Sequence, residues 1–168
     1  MTETASKPQI ILANMAIVLV IAFGVVGLVC YGASAEVRHR FWEDLLERPG
    51  GPMTFRFILQ PIMAAIAALH DGIKDATDGR SPYTWTILAN SKQRGRRLRE
   101  GLIATARVIL LGLCMDVIYQ LVVLKTFYPG EAAIVAIMLA FVPYLILRGP
   151  VARIVRWRHG NIRTSERQ

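Results

Sequence analysis

The sequence lacks the short motifs that mark most enzymes, and it has very few cysteines. No Walker loop, GxGxxG, HExxH or GxSxG pattern occurs; these patterns serve phosphate binding, dinucleotide binding, zinc catalysis and serine hydrolysis. The two cysteines, Cys30 and Cys114, have no CxxC neighbour, so we expect small buried apolar residues, with a disulfide as the lesser alternative. The sequence predicts no cofactor, no metal site and no enzymatic activity.

Charge is absent from long stretches of the chain. Hydrophobic residues fill 54% of the 168 positions, above the roughly 45–50% that is usual in soluble domains. The segment from Ile10 to Gly32 contains no charged residue, and about 20 apolar residues are enough to cross a bilayer as a helix. Four such stretches leave no room for a separate soluble domain. We therefore expect an all-α membrane protein with one integral membrane domain, residues 1–168.

The pattern predicts four transmembrane helices, with a short interfacial helix between the first two. The second span is the weakest, because it contains Arg56, Gln60 and Pro61. The interfacial helix is predicted over 36–48, where apolar residues recur at helical spacing around Trp42; a solvated helical connection is the alternative. The predicted spans are about 10–32, 53–73, 101–124 and 131–148, with a basic loop 74–100 and a basic tail 149–168.

The end of the first span also has features of a signal peptide. Ala33-Ser34-Ala35 resembles a signal-peptidase site, and Lys7 precedes the apolar run. The run is much longer than the roughly 7–15 apolar residues of a signal peptide. We expect an uncleaved span; cleavage would leave three spans and would not change the orientation of the others.

Basic residues are distributed unevenly among the connections. With four spans, fourteen lie on the side of both termini and four on the opposite side, so the positive-inside rule places both termini in the cytoplasm. The net charge of +8 adjoins apolar runs, which predicts anionic lipid headgroups, and not nucleic acid, as the partner. The predicted headgroup-binding residues are Arg94, Arg96, Arg97, Arg99, Arg153, Arg156 and Arg158.

Asp116 lies well inside the third predicted span and is the strongest functional candidate among the ionisable residues there. Its side chain is too short to reach the interface, so we expect it to face the bundle. Because the second and third spans run antiparallel, Arg56 and Gln60 come to nearly the same depth, and we predict that one of them contacts Asp116. Arg56 could instead extend toward the interface. Asp116 is interpreted either as a proton or cation site or as a helix–helix hydrogen bond that fixes packing.

Arg107 is the remaining member of the predicted intramembrane polar cluster. Nine residues separate it from Asp116, which turns an α-helix by about half a revolution. We therefore expect Arg107 on the opposite side of its helix from Asp116, where it extends to the interface or meets Asp71.

A second group of polar residues lies at the predicted membrane surface and comprises His70, Asp71, Asp75 and Asp78. His70 and Asp75 have an H-x4-D spacing that resembles glycerolipid acyltransferases, in which the aspartate orients a histidine base; the acidic-glycine motif of that family is missing. Asp75-x-x-Asp78 followed by glycine resembles the start of the CDP-alcohol phosphotransferase signature, whose later paired aspartates are absent. A divalent-cation site on the aspartates and a solvated face balanced by Lys74 are the other hypotheses.

The stretches RPGGPMTFRFILQP and DGIKDATDGRSPYTW resemble small uncharacterised inner-membrane proteins of bacteria, over about residues 41–120. The resemblance implies a bacterial inner-membrane location but no activity or site. From the residues we expect a structural or accessory subunit that acts through helix–helix contacts, in a homo-oligomer or a larger membrane complex. The alternative is a small oligomeric transporter or channel component that uses Asp116 and the prolines of its spans.

Overall fold

The computed structural model describes residues 6–32, 39, 42–43, 54–81 and 83–165. This part of the chain is helical and contains no strand, so the prediction of an all-α protein is confirmed. The helices are α1 (Lys7–Tyr31), α2 (Arg56–Thr77), α3 (Tyr83–Ala89), α4 (Ser91–Tyr119), which a π-helical turn (Gln120–Leu124) extends, and α5 (Pro129–Ser165).

Three helices in the described part are long and apolar enough to cross a membrane: Lys7–Tyr31, Ser91–Leu124 and Pro129–Arg158. They correspond to the predicted first, third and fourth spans. α2 is not among them, because charged residues at both of its ends lower its hydropathy. Its 22 residues extend over about 33 Å at 1.5 Å per residue, so its length is sufficient for a crossing.

α2 turns its small and polar residues toward the bundle and its large apolar residues outward. Gln60, Ala64, Ala68 and Gly72 recur at every fourth position and are buried. A Cβ atom on Gly72 would lie 2.7 Å from Cγ1 of Val151 on α5, so a larger residue would force α2 and α5 apart. The outward face of α2 includes Ile58, Ile62, Ile66, Leu69 and Ile73, all exposed.

Small residues also fill the contact between α4 and α5. A Cβ atom on Gly112 would lie 3.3 Å from the Cβ of Ala136, so the two backbones approach each other closely. In lipid no hydrophobic effect drives helices together, and close van der Waals packing of this kind stabilises a bundle instead. The other small buried residues of the contact are Ala106, Ala132 and Ala140.

α1 lies at the edge of the bundle and is held mainly by apolar contacts. A Cβ atom on Gly27 would lie 2.6 Å from backbone atoms of Gly130 in α5, so glycine is required at this crossing. Near the end of α1 the Tyr31 hydroxyl donates a hydrogen bond of 2.8 Å to the carbonyl of Phe127. The buried residues of α1 are Ala13, Ala16 and Gly27.

Two stretches differ from the sequence-based expectation. A loop is expected over 80–90, yet α3 forms there, because Tyr83 and Thr86 are buried against the bundle and fix a helical turn. A separate tail is expected after residue 148, yet α5 continues through Pro150 to Ser165. A proline removes one backbone hydrogen bond, and neighbouring groups in a bundle can compensate for the carbonyl it frees.

Two further expectations concern the α1–α2 connection and the thiols. Most of the predicted interfacial helix, 36–48, lies outside the described residues; within it, His39 and Glu43 are helical and their side chains lie 3.2 Å apart.

The prediction that Cys30 and Cys114 are buried is wrong, since both are free thiols on the exposed surface of the bundle. An apolar residue can face lipid, so hydrophobicity does not distinguish the two positions.

Candidate functional site

Most of the buried polar side chains of α2, α4 and α5 lie in two clusters. The first, which we call the Asp116 cluster, comprises Arg56, Gln60, Asp116 and Gln120. Nη2 of Arg56 donates to Oδ1 of Asp116 and forms an ion pair between α2 and α4, with the two side chains 3% and 0% exposed. Nε2 of Gln120 lies 2.6 Å from Oδ2 of Asp116. Both carboxylate oxygens of Asp116 therefore accept hydrogen bonds inside the bundle.

Gln120 connects the Asp116 cluster to the turn between α4 and α5. Its Oε1 accepts a hydrogen bond of 2.5 Å from the Tyr128 amide, and its Nε2 lies 3.2 Å from the Tyr128 carbonyl. The π-helical turn begins at Gln120, and Lys125 beyond it adopts a left-handed conformation with φ 55°. The cluster thus fixes where α4 ends as well as how α4 meets α2.

Two donors of the Asp116 cluster have no hydrogen-bond partner in the described part of the chain, Nη1 of Arg56 and Nε2 of Gln60. The Arg56 guanidinium lies 5.2 Å from the centre of the Tyr119 ring, and this cation–π contact offsets part of its desolvation. Gln60 lies one turn from Arg56 and faces Gly112, where a Cβ atom would be 3.1 Å from Nε2. Of the two predicted contacts of Asp116, the structure forms the one with Arg56.

The second cluster, the Asp75 cluster, comprises Asp71, Asp75, Tyr83, Arg97, Tyr144 and Arg148. Asp75 is 1% exposed. Its Oδ2 accepts a hydrogen bond of 2.8 Å from Nε of Arg148, and its Oδ1 lies 3.3 Å from Nη1 of Arg97. One carboxylate on α2 therefore binds an arginine from α4 and another from α5.

Tyrosine side chains complete the Asp75 cluster. The Tyr144 hydroxyl donates to Oδ2 of Asp71 at 2.6 Å and accepts from Nη1 of Arg148 at 2.5 Å. The Tyr83 ring on α3 lies 4.1 Å from the Arg148 guanidinium carbon, and its hydroxyl donates to the Arg97 carbonyl at 2.7 Å. Arg148 is thus enclosed by carboxylates and aromatic rings, which replace the water it loses on burial.

Tyr83 keeps its proton well above physiological pH. Burial raises the pKa of its hydroxyl to about 12, because the phenolate would lose its hydration. Gly101 on α4 makes room for the ring, since a Cβ atom there would clash with the Tyr83 hydroxyl and lie 3.0 Å from Cε1 of Tyr144. The hydroxyl therefore serves as a permanent donor to the α4 backbone.

The spacing between the clusters matches the thickness of a bilayer. Nineteen residues separate Arg56 from Asp75 on α2, and nineteen separate Arg97 from Asp116 on α4. At 1.5 Å per residue each interval spans about 28 Å, close to the roughly 30 Å of a hydrocarbon core. The buried residues between the clusters are mostly small, including Ala64, Ala68, Thr105 and Gly112.

Arg107 belongs to neither cluster. It is exposed, ten residues from Arg97 and nine from Asp116 along α4. Asp71, its alternative predicted partner, is bound by Tyr144 instead. Of the four residues of the predicted intramembrane cluster, the structure brings Arg56 and Asp116 together, places Gln60 one turn away and leaves Arg107 on the outer surface.

The predicted surface group of His70, Asp71, Asp75 and Asp78 does not form one site. His70 is 79% exposed and lies 3.5 Å from Asp71, whereas Asp75 points into the bundle. Asp78 pairs with Arg80 at 3.5 Å. The histidine–aspartate pair that the acyltransferase resemblance implies is therefore not formed. Among the described residues, no group of three histidine, cysteine or acidic side chains is placed to hold a metal ion.

The predicted headgroup-binding arginines fall into two groups. Arg97 is 4% exposed, and its Nη1 lies 3.1 Å from Glu100 and 3.3 Å from Asp75, so it is not a surface residue. Arg156 is half-buried, and its Nε donates to the Ala152 carbonyl at 3.1 Å. The exposed members are Arg94, Arg96, Arg99, Arg153 and Arg158.

The sequence does not single out Tyr83, Tyr144 or Arg148 as members of a buried cluster. Tyr83 and Trp85 both have the amphipathic character of interfacial residues, yet Tyr83 is fully buried and Trp85 is 61% exposed. Arg148 has a usable signal. The acid-rich end of α2 and the end of the fourth predicted span lie on the same side, so Arg148, the last residue of that span, is a candidate partner for Asp71 and Asp75.

Comparison with known proteins finds no counterpart: no protein-family model, no curated protein and no solved structure matches the chain. Function therefore has to be inferred from the geometry. In both clusters the carboxylates are bound by arginine or tyrosine side chains of neighbouring helices, and Asp116 also by Gln120 one turn further along its own helix. Chemically, this arrangement holds α2, α4 and α5 in one register.

Proposed function

We propose that the protein is a four-span membrane subunit with a structural or accessory role, which acts through contacts between helices and not through catalysis. The observation that carries the proposal is the bonding of Asp116, whose two carboxylate oxygens accept hydrogen bonds from Arg56 and Gln120. A carboxylate that moves protons or cations has to exchange its partner with the substrate. Asp116 is instead occupied by a cation of its own chain, which favours a helix-fixing role over transport.

Two features support α2 as the fourth span. Its outward face carries large apolar side chains such as Ile58, Ile62 and Ile66, an arrangement that is favourable in lipid and unfavourable in water. Its charged ends lie about 28 Å apart by residue count, so Arg56 and Asp75 come to the two borders of a roughly 30 Å hydrocarbon core. The buried pairing of both residues removes the main barrier to insertion of this helix.

We further propose a bacterial inner membrane as the location, with both termini in the cytoplasm and anionic headgroups around the Asp75 end. The support is the distribution of basic residues and the exposure of those at that end. The residues proposed to meet headgroups are Arg94, Arg96, Arg99, Arg153 and Arg158.

Topology reporters test the membrane arrangement. A cytoplasm-active or a periplasm-active reporter inserted into the full chain next to Ser6, Lys92, Thr126 or Gly160 should report cytoplasm, cytoplasm, periplasm and cytoplasm, respectively. A periplasmic signal at Lys92 together with a cytoplasmic signal at Thr126 would contradict the orientation. If Lys92 and Ser6 reported opposite sides, α2 would not cross and the four-span arrangement would be overturned.

The Asp116→Asn substitution distinguishes the accessory role from the transport alternative. In an accessory subunit this variant should lower the stability of the bundle, because the Arg56 charge is left unpaired, while proton and sodium flux in proteoliposomes stays at the level of empty vesicles for both proteins. A flux through the unsubstituted protein that disappears in Asp116→Asn, with stability retained, would replace this proposal by the transport function.

A further inference from the structure

We infer that α1 binds α1 of a second copy of this chain, and that the two helices lie parallel with their Asn14 side chains hydrogen-bonded to each other. This inference rests on the membrane location given under the proposed function and names a partner for its helix–helix contacts. It starts from the face of α1 that the bundle leaves uncovered.

The uncovered face of α1 has the spacing of a helix–helix seam. At 100° per residue, Val18 and Val25 lie opposite the buried residues Ala13, Ala16 and Gly27, and Asn14 lies about 40° to one side of Val18. Exposed positions on this face alternate three and four residues apart, the spacing with which left-handed pairs of membrane helices interlock. The face consists of Ile11, Asn14, Val18, Ile21, Val25 and Leu28, and its apolar members are 54–65% exposed.

Asn14 indicates that lipid alone does not cover this face. Its side chain is exposed and makes no hydrogen bond within the described part of the chain. It lies seven residues inward from Lys7, about 10 Å along the helix, within the longest uncharged run of the sequence. Acyl chains offer an amide neither donor nor acceptor. The amide therefore needs a polar partner from another protein chain.

A second copy supplies this partner with matching geometry. Copies of one protein insert with the same orientation, so two α1 helices meet in parallel and equal positions face each other across a twofold axis. An asparagine amide has both a donor and an acceptor, so two Asn14 side chains can satisfy each other. One such residue in an apolar seam also fixes the register of the pair.

The outward face of α2 provides an internal comparison. It exposes Ile58, Ile62 and Ile66 and carries no polar group between Phe55 and Leu69. Lipid solvates such a face fully, and a partner would gain no hydrogen bond there. The inference therefore assigns the self-contact to α1 and leaves α2 in lipid.

Energy transfer between dye-labelled copies in liposomes measures the association. The full chain would carry Ala at Cys30 and Cys114 and a single labelling cysteine at the exposed Lys92. Asn14→Leu should weaken association roughly tenfold, although it makes the face more apolar. Asn14→Gln keeps an amide and should restore most of the loss. Met15→Leu, at an exposed position off the seam, should leave association unchanged.

Disulfide formation between equal positions gives a second measurement that does not depend on removing Asn14. Single cysteines at Val18, Ile21 and Val25 should link two copies rapidly. Cysteines at Met15 and Val26 should link slowly, because these positions are exposed to a similar degree (45% and 46%) but point away from the seam.

Association of Asn14→Leu at the strength of the unsubstituted chain, or equally fast linkage at Val25 and Val26, would overturn the inference. A chain that stays monomeric at all protein-to-lipid ratios would also overturn it, and the four-span accessory role would stand if the topology reporters agree with it. If pairing depends on Asn14 and ion flux depends on Asp116, the α1 pair would be established and the accessory role would be overturned.

Discussion

The guanidinium carbon of Arg148 lies 4.1 Å from the centre of the Tyr83 ring, while its Nε donates to Asp75. An arginine held between an aromatic face and a carboxylate keeps its charge without contact to bulk water. The short helix α3 is therefore part of the buried cluster and not a surface connection. This relationship makes the stability of the bundle sensitive to single substitutions at its charged residues.

The Arg56–Asp116 pair should behave as a unit. Asp116→Leu leaves the Arg56 guanidinium buried without its counter-ion, and we expect a loss of about 3–5 kcal/mol in the free energy of unfolding. The double variant Arg56→Met/Asp116→Leu removes both charges and should recover most of that loss. Reversible unfolding of the unsubstituted chain, the two single variants and the double variant in mixed micelles would measure their free energies of unfolding. Losses that simply add would show that the two residues do not interact.

Arg96 and Arg97 provide a matched pair of neighbouring arginines. Arg97 contacts Asp75 inside the bundle, whereas the Arg96 side chain is 73% exposed. Replacing Arg97 by Leu should destabilise the protein by about 2–4 kcal/mol, and the same replacement at Arg96 by no more than about 0.5 kcal/mol. Thermal unfolding of the two variants in one detergent gives the comparison. Equal changes in the unfolding temperature of the two variants would argue that the contact of Arg97 with the Asp75 cluster contributes nothing to stability.

Gly27 and Gly24 test the crossing of α1 with α5. Gly27→Ala would push a methyl group into the backbone of Gly130, while a Cβ atom at Gly24 meets nothing within 4 Å. We expect Gly27→Ala to separate α1 from the bundle. Gly24→Ala should be neutral or stabilising by up to about 1 kcal/mol, because alanine favours the helix. Protease accessibility of α1 in detergent would report the separation, and equal protection of both variants would contradict it.

Tyr83 should make the stability depend on pH at the alkaline end. The pKa of its hydroxyl is raised from 10.0 to about 12 by burial, so the folded chain holds this proton more tightly than the unfolded chain does. The stabilisation is complete below pH 10 and is lost as the pH rises from 10 toward 12.

Tyrosinate absorbance during an alkaline titration would measure this effect. Tyr83 should ionise only as the bundle unfolds, so the late step in the titration should be smaller by one tyrosine in Tyr83→Phe than in the unsubstituted chain. The substituted protein should also be less stable at neutral pH, because the hydrogen bond to the Arg97 carbonyl is lost. Ionisation of all tyrosines in one step near pH 10 in the folded protein would contradict the assignment.

Features that follow from local composition could be predicted from the sequence. The uncharged run that begins at Ile10 and the apolar core of α4 each correspond to a helix long enough to cross a membrane. The sequence also gives Arg56 and Gln60 as the two candidate partners of Asp116, because antiparallel neighbours fix which residues share a depth, and the structure selects Arg56. These inferences need only helix geometry and the rule that a charged side chain inside a membrane is usually paired with another polar group.

Features that depend on how helices face each other could not be predicted in this way. Tyr83 and Trp85 differ by two positions, and only the packing of α3 decides which one is buried. Arg97 belongs to a run of basic residues, and its burial depends on the direction of Asp75. Pro150 follows a glycine and signals a helix end, yet α5 passes through it because bundle contacts outweigh local preference.

The division of the buried charges among α2, α4 and α5 has a consequence for biosynthesis. α1 carries no charge that needs a partner and can rest in the bilayer as soon as it leaves the ribosome. α2 emerges next with Arg56 and Asp75, whose partners Asp116 and Arg148 are synthesised much later. If α2 crosses the membrane as proposed, it has to wait at the translocon or at the membrane border until the C-terminal third of the chain arrives, and a chain truncated before α5 should then be recognised by quality-control proteases.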